Sequence, residues 1–256
     1  MKWITIITWL AFATPGAAQT EPASEDASSP DWSNIPVGEI LRFDARLGFL
    51  RVGRASMEVV GIDTVRGDPT MHFRFLLEGG TAFFRLRDQM DSWTALEDFS
   101  SRRFVQDFHE AGRERLNEYE LFPDSGFYRQ AGVDTTMPTV EHPLDDTAFF
   151  YFVRTVDLVP GQRYEFNNYF KPDRNPVVIE AIRRDTLDLP AGRFATIEIR
   201  LIIKGNGIFR EAADARMWLT DDDRKIMVQM KSKFSFATIT LRLESVEGIP
   251  DLSLGD

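Results

Sequence analysis

Apolar and polar residues alternate along most of this chain, and this period of two constrains its fold more than any other feature. In the first such segment, Leu41, Phe43, Ala45 and Leu47 share one face, while Arg42, Asp44 and Arg46 share the other. Successive side chains of a strand point to opposite faces, so the alternation indicates a half-buried strand. Further segments of this kind are Ala55–Val59, Met71–Leu77, Phe84–Asp91, Arg103–Phe108, Arg115–Phe122, Arg163–Phe170, Val177–Arg183, Phe194–Lys204, Ala215–Thr220, Lys225–Lys233 and Phe234–Glu247.

Turn-forming residues separate these segments, for example at Arg66–Pro69, Pro123–Gly126 and Asp221–Arg224. Glycine, proline and aspartate tolerate or preset the backbone angles that tight turns require. Many short strands without helical crossovers predict an all-β, mainly antiparallel fold. We expect a strongly curved sheet, or a partly open β-barrel or sandwich.

One segment has the period of a helix instead. Within Asp145–Val156, the residues Phe149, Phe152, Val153 and Val156 recur at the spacing of one helix face. Asp145 or Asp146 can cap its start, where the helix dipole favours negative charge. We predict an amphipathic helix over residues 145–156 that covers an open side of the sheet.

The N-terminus has the features of an export signal. Residues 1–18 contain Lys2, an apolar run over Ile4–Ala13, and small residues before Gln19. The run of ten residues is shorter than the roughly twenty that span a bilayer. The sequence therefore predicts cleavage near Ala18–Gln19, no transmembrane segment in the mature chain, and a periplasmic or secreted protein. Because the chain has no cysteine to carry a lipid, we do not expect a lipoprotein.

The rest of the chain divides into three parts. Residues 19–36 are acidic and rich in proline, serine and alanine, which predicts a disordered linker whose end at Trp32–Pro36 begins to pack. Residues 37–249 are predicted to form a single β domain. Residues 250–256 are expected to be a frayed tail.

The overall charge of −10 disfavours nucleic acid and anionic membrane surfaces as partners, unless a local basic patch overrides it. The 21 phenylalanines against five tryptophans and five tyrosines are unusual. They predict either a core filled by phenylalanine or a cavity lined by it, since phenylalanine has no polar atom to satisfy.

Signatures of catalysis and of metal or cofactor binding are missing from the sequence. There is no cysteine and no Gly-x-Ser-x-Gly motif, and His72, His109 and His142 fit no metal-binding spacing. These histidines are interpreted as surface residues. We therefore predict no catalytic residue, no metal site and no cofactor.

Eight residues remain as candidates for ligand binding: Arg42, Asp44, Arg46, Asp91, Phe149, Phe152, Arg154 and Trp218. The charged members either line a polar end of a cavity or belong to a solvated outer face, and the sequence leaves both readings open. Phe149 and Phe152 lie on the apolar face of the predicted helix.

Three segments resemble a known family. Gly38–Arg46 followed by Val52–Ala55, then Asp146–Arg154 with Pro160–Gly161, and finally Trp218–Val228 occur in the order typical of the bacterial domain-of-unknown-function family number 3108. Met227 departs from the pattern, which has a proline there. The resemblance implies an exported envelope protein of mainly β structure. It implies no activity, so it supplies no catalytic residues.

Three functions are compatible with the sequence. The first is a non-catalytic binding or carrier module for an apolar or lipid-like envelope ligand, held in a cavity beneath the helix. The second is a structural or interaction protein of the envelope, which meets a partner through a sheet edge or the acidic linker. The third is a hydrolase, which would need Asp44 and Asp91 to converge on one inner surface.

Overall fold

The computed structural model describes residues 31–81, 84–110, 112–205, 214–233 and 238–249, and it confirms the predicted β architecture. The strands are β1 Ile40–Leu47, β2 Leu50–Val65, β3 Asp68–Thr81, β4 Phe84–Ala95, β5 Ser101–Glu110, β6 Arg113–Phe122, β7 Phe127–Gln130, β8 Met137–Pro138, β9 Arg163–Phe166, β10 Val177–Leu189, β11 Gly192–Ile202, β12 Arg216–Thr220, β13 Met227–Lys233 and β14 Thr238–Glu247. The helix α1 spans Asp146–Phe152.

All the strands pair antiparallel in one open sheet, in the order β8-β7-β6-β5-β4-β3-β2-β1-β14-β13-β12-β11-β10-β9. Each strand therefore pairs with the next one in the chain, except that β8 and β9 form the two edges. The first and last strands of the chain meet in the middle of the sheet, where β1 pairs with β14 from Ile40–Glu247 to Leu47–Ile239. The connection from β8 to β9 contains α1, so the helix belongs to the part of the chain where the sheet is open.

The sheet is bent by irregular pairing. The strand registers shift at Arg42/Phe43, Ala45/Arg46, Val59/Gly61, Trp93/Thr94, Ala181/Arg183 and Trp218/Leu219. Such bulges bend a strand and increase its twist. Strands β2 and β3 approach each other closely at Gly53, where an added Cβ would lie 2.1 Å from the Glu78 carbonyl oxygen. Glycine is required there because any side chain would collide with the neighbouring strand.

The predicted helix is confirmed, with a shorter α-helical part. Asp146–Phe152 are α-helical, and Val153–Thr155 continue as one turn of 3₁₀-helix. Thr147 to Tyr151 of α1 are buried. The ring of Tyr151 stacks on Phe73 of β3 with centroids 3.9 Å apart, and Phe150 stacks on Phe75 at 5.4 Å. The helix therefore packs on the apolar face of the sheet.

The segment before β1 also packs against this core. Trp32 stacks on Phe99 at 4.7 Å and donates its indole N–H to the Leu96 carbonyl at 2.9 Å. Ile35 is buried. Packing onto the β domain therefore begins within residues 19–36, the segment predicted as a linker. The predicted signal peptide, residues 19–30 of the linker and the tail at 250–256 lie outside the described residues.

Candidate functional site

Asp145 fixes the start of α1 to the inner face of the sheet. Its Oδ1 accepts the backbone N–H groups of Thr147 and Ala148 at 2.9 and 3.0 Å, which caps the helix. Its Oδ2 accepts the hydroxyls of Ser92 in β4 and Ser101 in β5 at 2.6 and 2.7 Å. Burial raises the pKa of Asp145 to about 7, while these hydrogen bonds stabilise its ionised form. The carboxyl group is fully enclosed, so its role is to anchor the helix.

Arg154 fixes the other end of the helical segment. Its Nη1 lies 2.6 Å from Glu39 Oε1, and both side chains are almost inaccessible, with exposed fractions of 2% and 0%. The same guanidinium donates to the carbonyl oxygens of Arg224 at 2.9 Å and of Asn34. One buried ion pair thus joins the segment before β1, the helical segment and the β12–β13 turn.

The contacts of Arg154 connect the three segments that resemble the known family, which we call the first, middle and late blocks. Glu39 belongs to the first block, Arg154 to the middle block and Arg224 to the late block. They lie far apart in the sequence, with Glu39 and Arg154 separated by 115 positions. The three blocks therefore meet at one buried ion pair, which holds them together in the fold.

Phe149 and Phe152 fill the interior. Phe149 is fully buried, and its ring lies 5.8 Å from that of Phe152. Phe152 is partly buried and packs edge-on against Phe166 of β9 at 5.0 Å. Both rings therefore contribute to the aromatic packing between the helix and the sheet.

A second interior cluster was missed by the sequence reasoning. Asp146 accepts the Tyr169 hydroxyl at 3.0 Å and the Gln106 amide at 3.4 Å. Burial raises the pKa of Asp146 and lowers the pKa of Lys171 nearby. Arg174 donates to the Tyr169 hydroxyl at 3.3 Å. These residues come from three separate segments, so no local spacing pointed to them.

Asp91 lies on the outer face of the sheet, where three side chains bind its carboxylate. Its Oδ1 lies 2.7 Å from His72 Nε2 and 2.8 Å from Arg74 Nε, and its Oδ2 accepts the Gln89 amide at 2.6 Å. Burial works to raise the pKa of Asp91, but the hydrogen bonds from His72 and Gln89 and the charge of Arg74 together lower it.

The interpretation of His72 as a surface residue was wrong, since its side chain is only 12% exposed. It stacks on Trp93 with centroids 4.4 Å apart. His109 and His142 are more open, with side chains 40% and 60% exposed. The alternation placed His72 on a polar face correctly, but it did not show that neighbouring side chains cover this ring.

Asp44 is also on the outer face, covered by two arginines. Arg46 Nε lies 2.6 Å from its Oδ2, and Arg51 Nε lies 2.9 Å from its Oδ1. Arg42 lies two residues before Asp44 in β1 and forms an exposed ion pair with Glu247 of β14 at 3.1 Å. Asp44 and Asp91 lie three strands apart, about 14 Å by strand spacing alone. They do not converge on one inner surface, as the hydrolase reading required.

Trp218 is buried on the face opposite to its neighbours Met217 and Leu219. It lies in register with Glu198 of β11 and Gln229 of β13. The ammonium of Lys231 lies 4.9 Å from the ring centroid, which is the distance of a cation–π contact. The predicted hairpin turn after this strand is confirmed, with Asp222 accepting the Thr220 hydroxyl at 2.6 Å.

Two neighbouring concavities open on the outer side of the sheet. The first, which we call the arginine concavity, has a volume of about 360 Å³. It is lined by Arg42, Arg51, Arg54, Ser56, Leu76, Glu78 and Glu244. The second has a volume of about 580 Å³ and is lined by Val52, Gly79, Gly80, Arg85, Leu86, Arg87 and His109, with Glu78 shared between the two.

The charges around the arginine concavity are mostly paired. Arg51 binds Glu244 at 3.1 Å, and Glu78 lies 3.8 Å from Arg87. Arg54 is exposed and makes no hydrogen bond or ion pair with any other residue that the structure describes. Its guanidinium is therefore available to an anion, while Leu76 and Val52 offer apolar surface in the two concavities.

Among the residues that the structure describes, no three histidine, aspartate or glutamate side chains are grouped so that they could hold a metal ion. No helix in this part of the chain has the length and apolar character needed to cross a bilayer.

Comparison with known proteins gives a family and a fold. A family model described as "Protein of unknown function (DUF3108)" matches residues 42–244. No curated protein matches the chain. A β-barrel-like protein of the DUF1849 domain from Brucella abortus is similar in structure, with a TM-score of 0.53 and 11% identity over 82% of this chain and 97% of that one. This likeness shows a shared β-barrel-like fold.

Two further solved structures are less similar. A candidate lipoprotein from Parabacteroides distasonis has a TM-score of 0.36 and 9% identity, over 82% of this chain and 95% of that one. A candidate exported protein from Bacteroides fragilis has a TM-score of 0.32 and 12% identity, over 83% and 96%.

Proposed function

The chain belongs to the DUF3108 family of proteins of unknown function, and we propose that it is an exported, non-catalytic envelope protein that binds an amphipathic anionic ligand, such as a lipid or fatty acid. The export signal predicted from the sequence of residues 1–18 supports the compartment. The observation that carries the ligand class is that Arg54, which has no partner among the described residues, lies in the first of two adjoining concavities that are also lined by the apolar side chains of Leu76 and Val52.

We locate the ligand site on the outer face because the aromatic side chains of α1 pack tightly against the inner face. Phe149, Phe150 and Tyr151 are buried against the sheet, and Asp145 and Arg154 hold the helix at both ends. An apolar ligand would have to displace this packing. On the outer face, a carboxylate or phosphate group pairs with Arg54, since guanidinium binds such anions with strong hydrogen bonds. The apolar part of the ligand covers Leu76 and Val52.

The test is binding of a fluorescent medium-chain fatty acid, which has an anionic head and an apolar tail. We expect Arg54→Gln to weaken binding about tenfold or more, the loss expected for one charged hydrogen bond. Arg113→Gln, which changes an exposed arginine on β6, serves as the matched control. Equal affinities for the two variants would exclude the arginine concavity as the ligand site. Native mass spectrometry of the exported protein tests the same proposal by detecting a co-purified ligand.

A second candidate is an interaction protein of the envelope, which the open sheet favours. Within the part of the chain that the structure describes, β9 pairs only with β10, through Val177–Phe166 to Glu180–Arg163, so its other side is an edge. Such an edge can accept a strand from a partner. Crosslinking in intact cells tests this reading, and the absence of any reproducible partner would contradict it.

A further inference from the structure

The segment between β9 and β10 crosses the open side of the sheet and reaches β6 and β7. The ring of Phe170 lies 5.2 Å from that of Tyr119 in β6 and 5.3 Å from that of Tyr128 in β7. The backbone N–H of Phe170 donates to the Leu144 carbonyl at 3.0 Å, and its carbonyl accepts the Thr139 hydroxyl at 2.8 Å. The segment is therefore held against the strands on the other side of the opening.

This segment carries two cations on one short turn of fixed backbone. Lys171 precedes a turn of 3₁₀-helix over Pro172–Arg174, and Arg174 ends it. The side-chain amide of Asn175 clamps the turn, because it accepts the backbone N–H of Tyr169 at 2.9 Å and donates to the Tyr169 carbonyl at 3.0 Å. The positions of the two cationic side chains are thus set by the backbone that carries them.

Both cations contact tyrosine hydroxyls instead of carboxylates. Lys171 Nζ donates to the Tyr119 hydroxyl at 3.3 Å and lies 4.6 Å from the centre of that ring. Arg174 Nη1 donates to the Tyr169 hydroxyl at 3.3 Å. Neither cation has a carboxylate oxygen of another described residue within 4.0 Å, and both residues are partly exposed. Their remaining N–H groups are therefore available to an anion that enters from solvent.

The nearest carboxylates compensate these two charges incompletely. Asp146 already accepts two side-chain hydrogen bonds, and Asp173 is exposed. Burial lowers the pKa of Lys171 and the charge of Arg174 lowers it further, whereas Asp146 and Asp173 act in the opposite direction. Because the pKa is lowered overall, the ammonium lacks part of the counter-charge that its burial requires. Groups perturbed in this way are concentrated at functional sites.

We propose that Lys171 and Arg174 form a binding site for a phosphate monoester. Such a group carries about two negative charges at pH 7, which matches the two cations, and it offers three oxygens as acceptors. The guanidinium binds two of these oxygens at once, and the ammonium binds as a point charge. The Tyr119 hydroxyl, which accepts from Lys171 and donates to no described residue, adds a donor beside the ammonium. Neither cation lines the two outer concavities, so this site is separate from the proposed ligand site.

Isothermal titration calorimetry with sn-glycerol 3-phosphate tests the site on the protein purified after export. We expect saturable binding to the unchanged protein. Arg174→Gln and Lys171→Gln should each weaken binding about tenfold or more, the loss expected for one charged hydrogen bond. Lys171→Arg keeps the charge and should retain most of the affinity. Arg129→Gln is the matched control, since Arg129 of β7 also packs on aromatic rings, at 5.3 and 5.4 Å, and should bind like the unchanged protein.

A comparison of ligands tests the same site without any variant. Dihexanoyl phosphatidic acid carries the same phosphate monoester on a lipid, so tighter binding of either compound identifies a free ester or a lipid headgroup as the source. Dimethyl phosphate, a diester with one negative charge, should bind at least tenfold more weakly than both. No saturable binding of either monoester, or equal binding of the diester, would overturn the proposal even where a variant fails to fold.

The two proposed sites can fail independently. Arg54→Gln should leave the binding of sn-glycerol 3-phosphate unchanged, and Arg174→Gln should leave the binding of the fluorescent fatty acid unchanged. Equal affinities of Arg174→Gln and Arg129→Gln for sn-glycerol 3-phosphate would contradict the monoester site alone. A loss of sn-glycerol 3-phosphate binding in Arg54→Gln would place the phosphate in the arginine concavity and would equally contradict the site at Lys171 and Arg174.

Discussion

The inner and outer faces of the sheet both carry buried carboxylates, but these have different partners. On the inner side, Asp145 and Glu39 bind groups that come from distant parts of the chain, and so they hold the helical segment in the sheet. On the outer side, Asp44 and Asp91 bind side chains two residues away or on neighbouring strands. The inner contacts therefore define the architecture, whereas the outer contacts organise a charged surface in which Arg54 has no partner among the described residues.

The largest expected effect comes from breaking the inner anchor. Arg154→Ala leaves Glu39 buried without its partner, and we expect it to lower the free energy of unfolding by about 3–5 kcal/mol. Arg42→Ala on the outer face is the matched control, because its ion pair with Glu247 is exposed and should contribute at most about 1 kcal/mol. Denaturant unfolding of both variants measures the difference. Similar losses would refute the distinction between the two faces.

The second prediction uses the titration of Asp145. The pKa of its side chain is raised by burial to about 7 from 3.8, so the folded protein holds this proton up to a higher pH than the unfolded chain does. Stability from this group is complete below about pH 4 and is lost as the pH rises through about 7. The loss amounts to about 4 kcal/mol, from roughly 1.4 kcal/mol per pKa unit.

Asp145→Asn isolates this contribution, because the amide still accepts the helix N–H groups but does not ionise. The difference in the free energy of unfolding between the native protein and this variant should decrease between pH 4 and 7.5. A difference that does not change with pH would show that Asp145 is ionised throughout.

The third prediction concerns the close approach of β2 and β3 at Gly53, beside the two concavities. Gly53→Ala places a Cβ against the Glu78 carbonyl, so β2 and β3 must separate. We expect a loss of about 1–3 kcal/mol, the usual effect of overpacking. Ser56→Ala on the same strand adds no atom and serves as the control. Urea unfolding measures both, and an unchanged midpoint for Gly53→Ala would show that the close approach is not required.

The elements of this fold could be predicted from local patterns. The spacing of Phe149, Phe152 and Val153 predicted the helix, and the alternation in Leu41–Leu47 predicted the first strand. The strand order could not be predicted, because no local signal pairs β1 with β14. The short strands β7 and β8 were missed, since two to four residues do not establish a period of two.

The candidate residues show the same limit. Alternation placed Arg42, Asp44 and Arg46 on one face, but it could not decide between a cavity end and the outer surface. The structure places Asp44 under two arginines of the outer face, while Arg154 lies in the interior. The difference depends on contacts between distant segments, such as the ion pair between Glu39 and Arg154, which are 115 positions apart in the sequence.

The smallest predicted effect gives the outer face a pH dependence of opposite sign. The net effect of His72, Gln89 and Arg74 is to lower the pKa of Asp91, although burial works against it. The folded protein therefore releases this proton at a lower pH than the unfolded chain does, and stability from Asp91 is present above about pH 4 and is lost as the pH falls. Asp91→Asn should flatten the acid side of the stability profile, whereas Asp145→Asn should flatten the region up to pH 7. Asp124→Asn, an exposed carboxylate in the turn after β6, is the control. If both buried carboxylates changed the profile in the same direction, the contrast between the two faces would be wrong, because it requires burial to dominate inside and charged partners to dominate outside.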